Sequence, residues 1–201
     1  YNPTDEEHEF TLDMSDVELE GKVKVRDAFA RQDLPEVATG VMKVNVPRHD
    51  TRIFVLKGKR RMMRTNYEAE TAWLERYQCI GMNNSLGYAR YGEAPACSGG
   101  GKVEWLGNHK ENYMEWRNVY CPKAGIYTIT LNYMTDKDRS IFCSINGSWE
   151  TEIKTPGSSK DKMETVRIDV RLKKGTNIIR LGNAHAWCPD IDRMEIQYAQ
   201  K

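Results

Sequence analysis

A succession of short β-type runs, broken at regular intervals by turn residues, constrains this chain more than any other feature. Residues 103–106, 113–116, 126–133, 140–145, 166–172 and 177–181 have the length and the β-branched or aromatic content of strands. Turn signals fall between them at Lys123-Ala124-Gly125, Asn146-Gly147 and Lys173-Lys174-Gly175-Thr176. No helix-period stretch interrupts the pattern, so the second part of the chain is expected to be a β-sandwich. Ahead of it, residues 10–14 and 23–27 alternate apolar and polar side chains, and 41–46 and 53–56 complete a set of four strands. Pro47-Arg48-His49-Asp50 supplies a turn between the last two. The basic stretch Lys57-Gly58-Lys59-Arg60-Arg61 reads as a turn-rich break. The expected organisation is therefore all-β, with an incomplete antiparallel β domain over 1–60 and a jelly-roll β-sandwich over 66–201. Four strands make one thin sheet, which needs a second layer. Part of the first domain is accordingly expected upstream of Tyr1.

Composition narrows the function. A length of 201 residues suits one large or two small domains, and 39% hydrophobic against 29% charged residues favours small ones. A net charge of +1 argues against a nucleic-acid partner, which calls for a basic stripe. No stretch approaches the roughly eighteen apolar residues of a membrane span. The five cysteines (Cys79, Cys97, Cys121, Cys143 and Cys188) include no C-x-x-C pair, which argues against zinc and thioredoxin-type chemistry. Cys79 and Cys97 bracket a loop and could pair, while Cys143 reads as a buried thiol. Nothing in the chain resembles a nucleophile with its base or a phosphate loop.

Tyr67-Glu68-Ala69-Glu70 opens the second domain. In an extended strand Glu68 and Glu70 point to one side, and two carboxylates held so close repel unless a cation lies between them. The last strand begins at Pro189-Asp190-Ile191-Asp192. If first and last strands pair, Asp190 or Asp192 can join the two glutamates around a hard ion with oxygen ligands, as Ca²⁺ prefers. On the bare residues, solvated strand positions remain the alternative reading.

Two resemblances sharpen these expectations. Asn2-Pro3-Thr4-Asp5, the strand from Phe10 to Met14, Val25-Arg26-Asp27-Ala28-Phe29 and Val46-Pro47-Arg48-His49-Asp50-Thr51 resemble the C-terminal antiparallel β domain of the glycoside hydrolase family 27 α-galactosidases. Asp50 stands where that family usually has Gly. The resemblance implies a catalytic (β/α)₈ barrel upstream of Tyr1, whose two catalytic aspartates have no counterpart here. The second segment resembles carbohydrate-binding module family 35, a jelly roll related to family 6. The stretches that carry this are Tyr67-Glu68-Ala69-Glu70, Ser98-Gly99-Gly100-Gly101-Lys102-Val103, Cys121-Pro122-Lys123-Ala124-Gly125, Ser144-Ile145-Asn146-Gly147, Leu172-Lys173-Lys174-Gly175-Thr176-Asn177 and Pro189-Asp190-Ile191-Asp192. The resemblance implies a structural calcium, held by Glu68, Glu70 and Asp192.

A sugar site needs a ring face for the C–H side of a pyranose and hydrogen-bonding groups for its hydroxyls. Trp116 and Trp105 each fall in step with an apolar neighbour two residues earlier and read as core. Trp149 and Trp187 fall in loops, where packing explains a tryptophan less well. Family 35 modules place a sugar-contacting Asn where Asn183 stands, and His185 offers a second donor. The family's Gly-Trp ahead of residue 166 is missing, since Gly157-Ser158-Ser159-Lys160 carries no aromatic. The expected carbohydrate-binding residues are thus Trp149, Asn183, His185 and Trp187, with neither Trp187 nor Asn183 needed to fill the core. The long Tyr-rich loop 83–92 would form one wall.

These readings describe a non-catalytic C-terminal region of an α-galactosidase-like hydrolase, carrying a calcium-stabilised module for a galactose- or uronate-containing glycan. The alternative is a structural sandwich packed on the catalytic barrel that binds no sugar. The resemblance places such a protein in the periplasm or outside the cell.

Overall fold

The structure, a computed structural model, describes residues 1–77, 87–148 and 150–199. It divides into two compact units, Tyr1–Arg64 and Thr65–Lys201. Both are built from antiparallel strands, and among the described residues the helical content is confined to single turns.

The first unit holds five strands: β1 (His8–Asp13), β2 (Leu19–Asp27), β3 (Gln32–Val37), β4 (Val41–Val46) and β5 (Phe54–Arg61). They form two sheets, β1-β4 and β3-β2-β5, where a single four-stranded sheet was expected. Met14, Val23, Val25 and Met42 are buried together, with Leu12, Val44, Phe54 and Leu56 packed on them, so the unit has a core of its own. The sequence reading missed β3 because Gln32-Asp33-Leu34-Pro35-Glu36-Val37 does not alternate and contains proline. Proline is tolerated here because β3 pairs only with β2, as an edge strand. The basic stretch is not a break either: Lys57 to Arg61 continue β5, paired to β2 as far as Leu19↔Arg61.

Two of the motifs of this unit have clear local reasons. Asn2 is fully buried, its amide donating to the carbonyls of Glu6, Val46 and Pro47 and its Oδ1 accepting from Thr4. Asp27 Oδ1 accepts from the backbone N–H groups of Phe29 and Ala30 at 2.9 and 2.8 Å, closing the turn after β2.

The second unit is a sandwich of two sheets. Its strands are β6 (Asn66–Glu68), β7 (Trp73–Leu74), β8 (Arg90–Glu93), β9 (Gly101–Glu104), β10 (Tyr113–Cys121), β11 (Gly125–Thr135), β12 (Arg139–Ile145), β13 (Thr151–Thr155), β14 (Ser159–Leu172), β15 (Gly175–Gly182) and β16 (Asp190–Tyr198). One sheet runs β13-β12-β15-β10-β7; the other runs β14-β11-β16-β9-β8, with β6 also on β16. Tyr127, Ile129, Leu131 and Tyr133 point from β11 into the space between them, and Met194 and Ile196 join from β16. Met114, Trp116, Ile141, Cys143, Ile179 and Leu181 face them from the other sheet. Trp116, read as core, is buried. Cys97, Cys121, Cys143 and Cys188 are free, buried thiols, so the pairing of Cys97 with Cys79 is not made; Cys79 itself lies outside the described residues. Burial pushes the Cys143 thiol up to about 12.

Ile178 and Ile179 are adjacent on β15 but face opposite ways, 39% and 0% exposed. Ile179→Ala should therefore cost about 2–5 kcal/mol by emptying core volume, and Ile178→Ala no more than about 0.5 kcal/mol. Urea midpoints of the two variants measure the difference.

Candidate functional site

Two polar constellations lie along β9 and β16. The first is the carboxylate group. β6 pairs antiparallel with β16, with Glu68 opposite Arg193, so the opening strand of the unit lies directly on the closing one. Glu70 follows in a single helical turn (Ala69–Thr71). Along β16 the register to β11 slips between Arg193 and Ile191, leaving Asp192 as the extra residue of a bulge. The bulge turns its carboxylate inward, 2% exposed, toward the two glutamates.

Ser98 binds this group together: its Oγ lies 2.5 Å from Glu68 Oε2 and 3.2 Å from Asp192 Oδ1, and its N–H donates to Asp192 Oδ1 at 2.8 Å. One hydroxyl carries one proton, so it can serve only one of the two carboxylates at a time. Glu70 Oε2 is buried and has no hydrogen-bond partner. Burial lifts the Glu70 carboxyl above its ordinary range, and the charges of Glu68 and Asp192 add to the shift. Burial lifts Asp192 as well, opposed by the Ser98 bonds and by Arg193, with Glu68 adding to the rise. The glycine run following Ser98 has a steric reason: a Cβ on Gly101 would stand 2.2 Å from Glu70 Oε1. Among the described residues, no three His, Cys, Asp or Glu side chains are drawn into finished metal-binding geometry. The donors nonetheless fit a hard cation in kind, since all are oxygens and one is an orphaned buried carboxylate oxygen.

The second constellation is a cleft of about 470 Å³ beside it. Trp105 and Trp187 meet there edge-to-face, ring centroids 5.5 Å apart. The sequence reading placed Trp105 in the core, in step with Val103. β9 in fact ends at Glu104, and Trp105 takes a left-handed conformation (φ 60°) that throws its ring outward, 45% exposed. Alternation holds only while the strand lasts. Opposite the indoles, Lys102 Nζ lies 2.5 Å from Asp190 and 3.6 Å from Glu104, and Arg90 Nε lies 2.5 Å from Glu104. Burial raises the Asp190 carboxyl despite the opposing pull of Lys102. Burial works against the charge on Lys102, but its bond to Asp190 and the fields of Asp190 and Glu104 prevail and raise it. Arg139 donates to the Cys188 carbonyl at 3.0 Å, while its Nε is buried without a partner.

Of the residues expected to contact a ligand, Trp187 lines this cleft, half-buried. His185 is exposed in the same loop. Asn183 is 6% exposed, and its amide group is committed to structure: Nδ2 donates to the carbonyl and hydroxyl of Ser140, and Oδ1 accepts from the N–H groups of His185 and Ala186. The expectation that Asn183 is dispensable to the fold gives way for that reason. Trp149 and residues 83–86 lie outside the described residues. The sequence reading missed Arg90, Lys102, Glu104 and Arg139. Lys102 and Glu104 flank Val103 on β9, a signal that strand alternation offered; Arg139 has no signature in the sequence. A second buried asparagine, Asn112, fixes the approach to Trp105, its amide donating to the carbonyls of Gly87, Trp105 and Gly107 and its Oδ1 accepting from Ala89.

Known proteins carry the same architecture. Residues 1–56 match the alpha galactosidase C-terminal beta sandwich domain. A family 35 carbohydrate binding module from Clostridium thermocellum is 31% identical, superposes with a TM-score of 0.58, and is covered over 96% of its length by 65% of this chain. The chain belongs to carbohydrate-binding module family 35. A second member of the family, from Paenibacillus barcinonensis, shares the fold at 19% identity and a TM-score of 0.57, with 67% of this chain covering 99% of it. An exo-beta-1,3-galactanase from Phanerochaete chrysosporium shares it too, at 22% identity and a TM-score of 0.56; 66% of this chain covers 29% of that enzyme. No curated protein sequence matches the chain.

The loops of this family 35 module thus hang on two buried amides. Asn112→Ala and Asn183→Ala each orphan several backbone groups and should each cost about 1–3 kcal/mol. Urea unfolding of the two variants reads the loss, with Asn118→Ala, at an exposed position, as the unaffected control.

Proposed function

We propose that this chain is the non-catalytic C-terminal region of an α-galactosidase-like glycoside hydrolase, acting outside the cytoplasm. In this reading its second unit is a calcium-stabilised module that binds a galactose- or uronate-containing glycan. One observation carries the binding part: the cleft in which Trp105 and Trp187 stand edge-to-face across from a network of charged side chains. Exposed indole faces suit the C–H side of a pyranose. Hydroxyls or a carboxylate of the sugar would find cationic donors in Lys102 and Arg139, which both line the cleft. Asn183 then acts by holding the loop that presents Trp187 and His185, without touching the sugar.

An open, wet cleft of this kind gives weak binding, with Kd on the order of 0.1–1 mM, or about −4 to −5.5 kcal/mol. In titrations with galacto-oligosaccharides and with oligogalacturonate, Trp187→Ala and Trp105→Ala should each weaken binding at least tenfold while keeping the wild-type melting temperature within a few degrees. Arg139→Gln should weaken the uronate selectively. If the wild-type chain binds neither sugar, the sandwich is a structural element of the enzyme and the binding proposal fails.

Glu68, Glu70 and Asp192 would hold the calcium. Bound there, the ion would neutralise a repelling group and tie β6 to β16, so it acts through stability and not through chemistry. A ligand that binds only the folded state adds about 2.7 kcal/mol at a hundred times its Kd. Calcium should accordingly raise the melting temperature and a chelator lower it. Glu70→Gln separates the two effects by sign. Without calcium it relieves repulsion and should leave stability equal or higher; with calcium present it should abolish the gain. A melting temperature indifferent to both chelator and calcium would remove the ion from the account.

A further inference from the structure

The exposed face of the first unit's three-stranded sheet is a concave floor of about 660 Å³ lined by cations. Alternation on β2 buries Val23 and Val25 and turns Lys22 and Lys24 outward; on β5 it turns Lys57 and Lys59 to the same side. Lys24 and Lys57 are direct cross-strand partners. Like charges placed so are destabilising. Arg60 at the rim is paired with Glu20 at 3.3 Å, but among the described residues none of the four lysines forms an ion pair. Their only other acidic neighbour in the floor is Glu36. The sheet therefore holds four ammonium groups in one depression, spaced about 7 Å along each strand and about 5 Å across, against the single carboxylate of Glu36 once Glu20 is paired with Arg60.

The geometry points to an anionic polysaccharide, a polyuronate-like chain, lying across this floor. A ladder of point charges at strand spacing suits a linear polymer with a charge on every residue. The floor is lined only by Lys, Arg, Glu and Gly side chains, so it offers no ring on which a nucleic-acid base could stack. It also has no aromatic or aliphatic anchor of the kind that centres a protein interface. Carbohydrate recognition here is electrostatic and sequence-tolerant. It belongs to the first unit and stands independently of the cleft in the second.

Affinity electrophoresis of the whole 201-residue chain through gels containing polygalacturonate tests this, with neutral galactan and poly-L-glutamate as parallel polymers. Polygalacturonate should retard the protein at low ionic strength, and the retardation should fade as salt screens the surface, the Debye length falling to about 8 Å near 0.15 M. Lys24→Ser with Lys57→Ser should weaken binding several-fold, and adding Lys22→Ser and Lys59→Ser should weaken it at least tenfold, roughly one phosphate-like contact being lost per lysine. The double variant should also melt at or above the wild-type temperature, because it removes an opposed pair of like charges; a misfolded variant would melt lower. The lysine variants are compared in the Trp187→Ala background, so that uronate held by the cleft of the second unit does not contribute, and the Trp187→Ala chain with its lysines intact should still be retarded. The proposal is overturned if polygalacturonate fails to retard the wild type, if the quadruple variant is retarded equally, or if Trp187→Ala abolishes the effect. It is also overturned if poly-L-glutamate binds as well as polygalacturonate, since an acidic protein is then the better partner.

Discussion

The second unit depends on the pairing of its first strand with its last, and that pairing brings three carboxylates to one place. Glu68 arrives on β6, Glu70 on the turn that follows, and Asp192 on the bulge in β16. Ser98 supplies one hydroxyl and one N–H against them, which leaves a buried carboxylate oxygen without a partner. Burying charge without compensation is costly, and its signature is the raised proton affinity of Glu70 and Asp192. The close approach of Gly101 to Glu70 shows how tightly the backbone wraps this group. The tension lies at the seam of the sandwich, where β6 meets β16.

Next to that seam, β16 and its other neighbour β9 build the cleft by a different logic. There the acids are answered: Lys102 bridges Asp190 and Glu104, and Arg90 takes the far side of Glu104. Adjacent acidic positions, Asp190 and Asp192, thus serve opposite arrangements because the bulge between them sends one to a lysine and the other to carboxylates. The indoles on the cleft's other side owe their positions to backbone and amide groups. Trp105 is turned out by its own left-handed conformation, and Asn112 and Asn183 bond the loops on which the two rings ride. Rigid loops on a sandwich are the usual means of presenting a shallow polar surface.

The first unit distributes charge in a third way. Its core is small, and the outer face of its three-stranded sheet sets Lys24 opposite Lys57. A sheet of this size tolerates such repulsion because the side chains are exposed and the field is screened by water. The polar contacts that stabilise this unit are elsewhere, at the buried Asn2 amide and the Asp27 turn.

The all-β character, the two-part organisation and most strands of the sandwich were legible in the sequence, because strand periodicity and turn chemistry are local properties. The Tyr67-Glu68-Ala69-Glu70 and Pro189-Asp190-Ile191-Asp192 stretches were equally readable as acidic strand ends. Local pattern failed where the backbone left its period: Trp105 stepped out of alternation by a single positive φ, and β3 hid behind a proline at a sheet edge. The residues by themselves left Asp190 and Asp192 open and only the resemblance chose Asp192; the physical reason that Asp192 faces the glutamates, a one-residue bulge against β11, lies in the tertiary structure. Tertiary structure alone brought Arg139, from the start of β12, beneath a loop nearly fifty residues later. It also turned Asn183 from a presumed sugar contact into the tie of its loop, because a side-chain amide serves whichever groups the fold sets within reach, and sequence does not contain those distances.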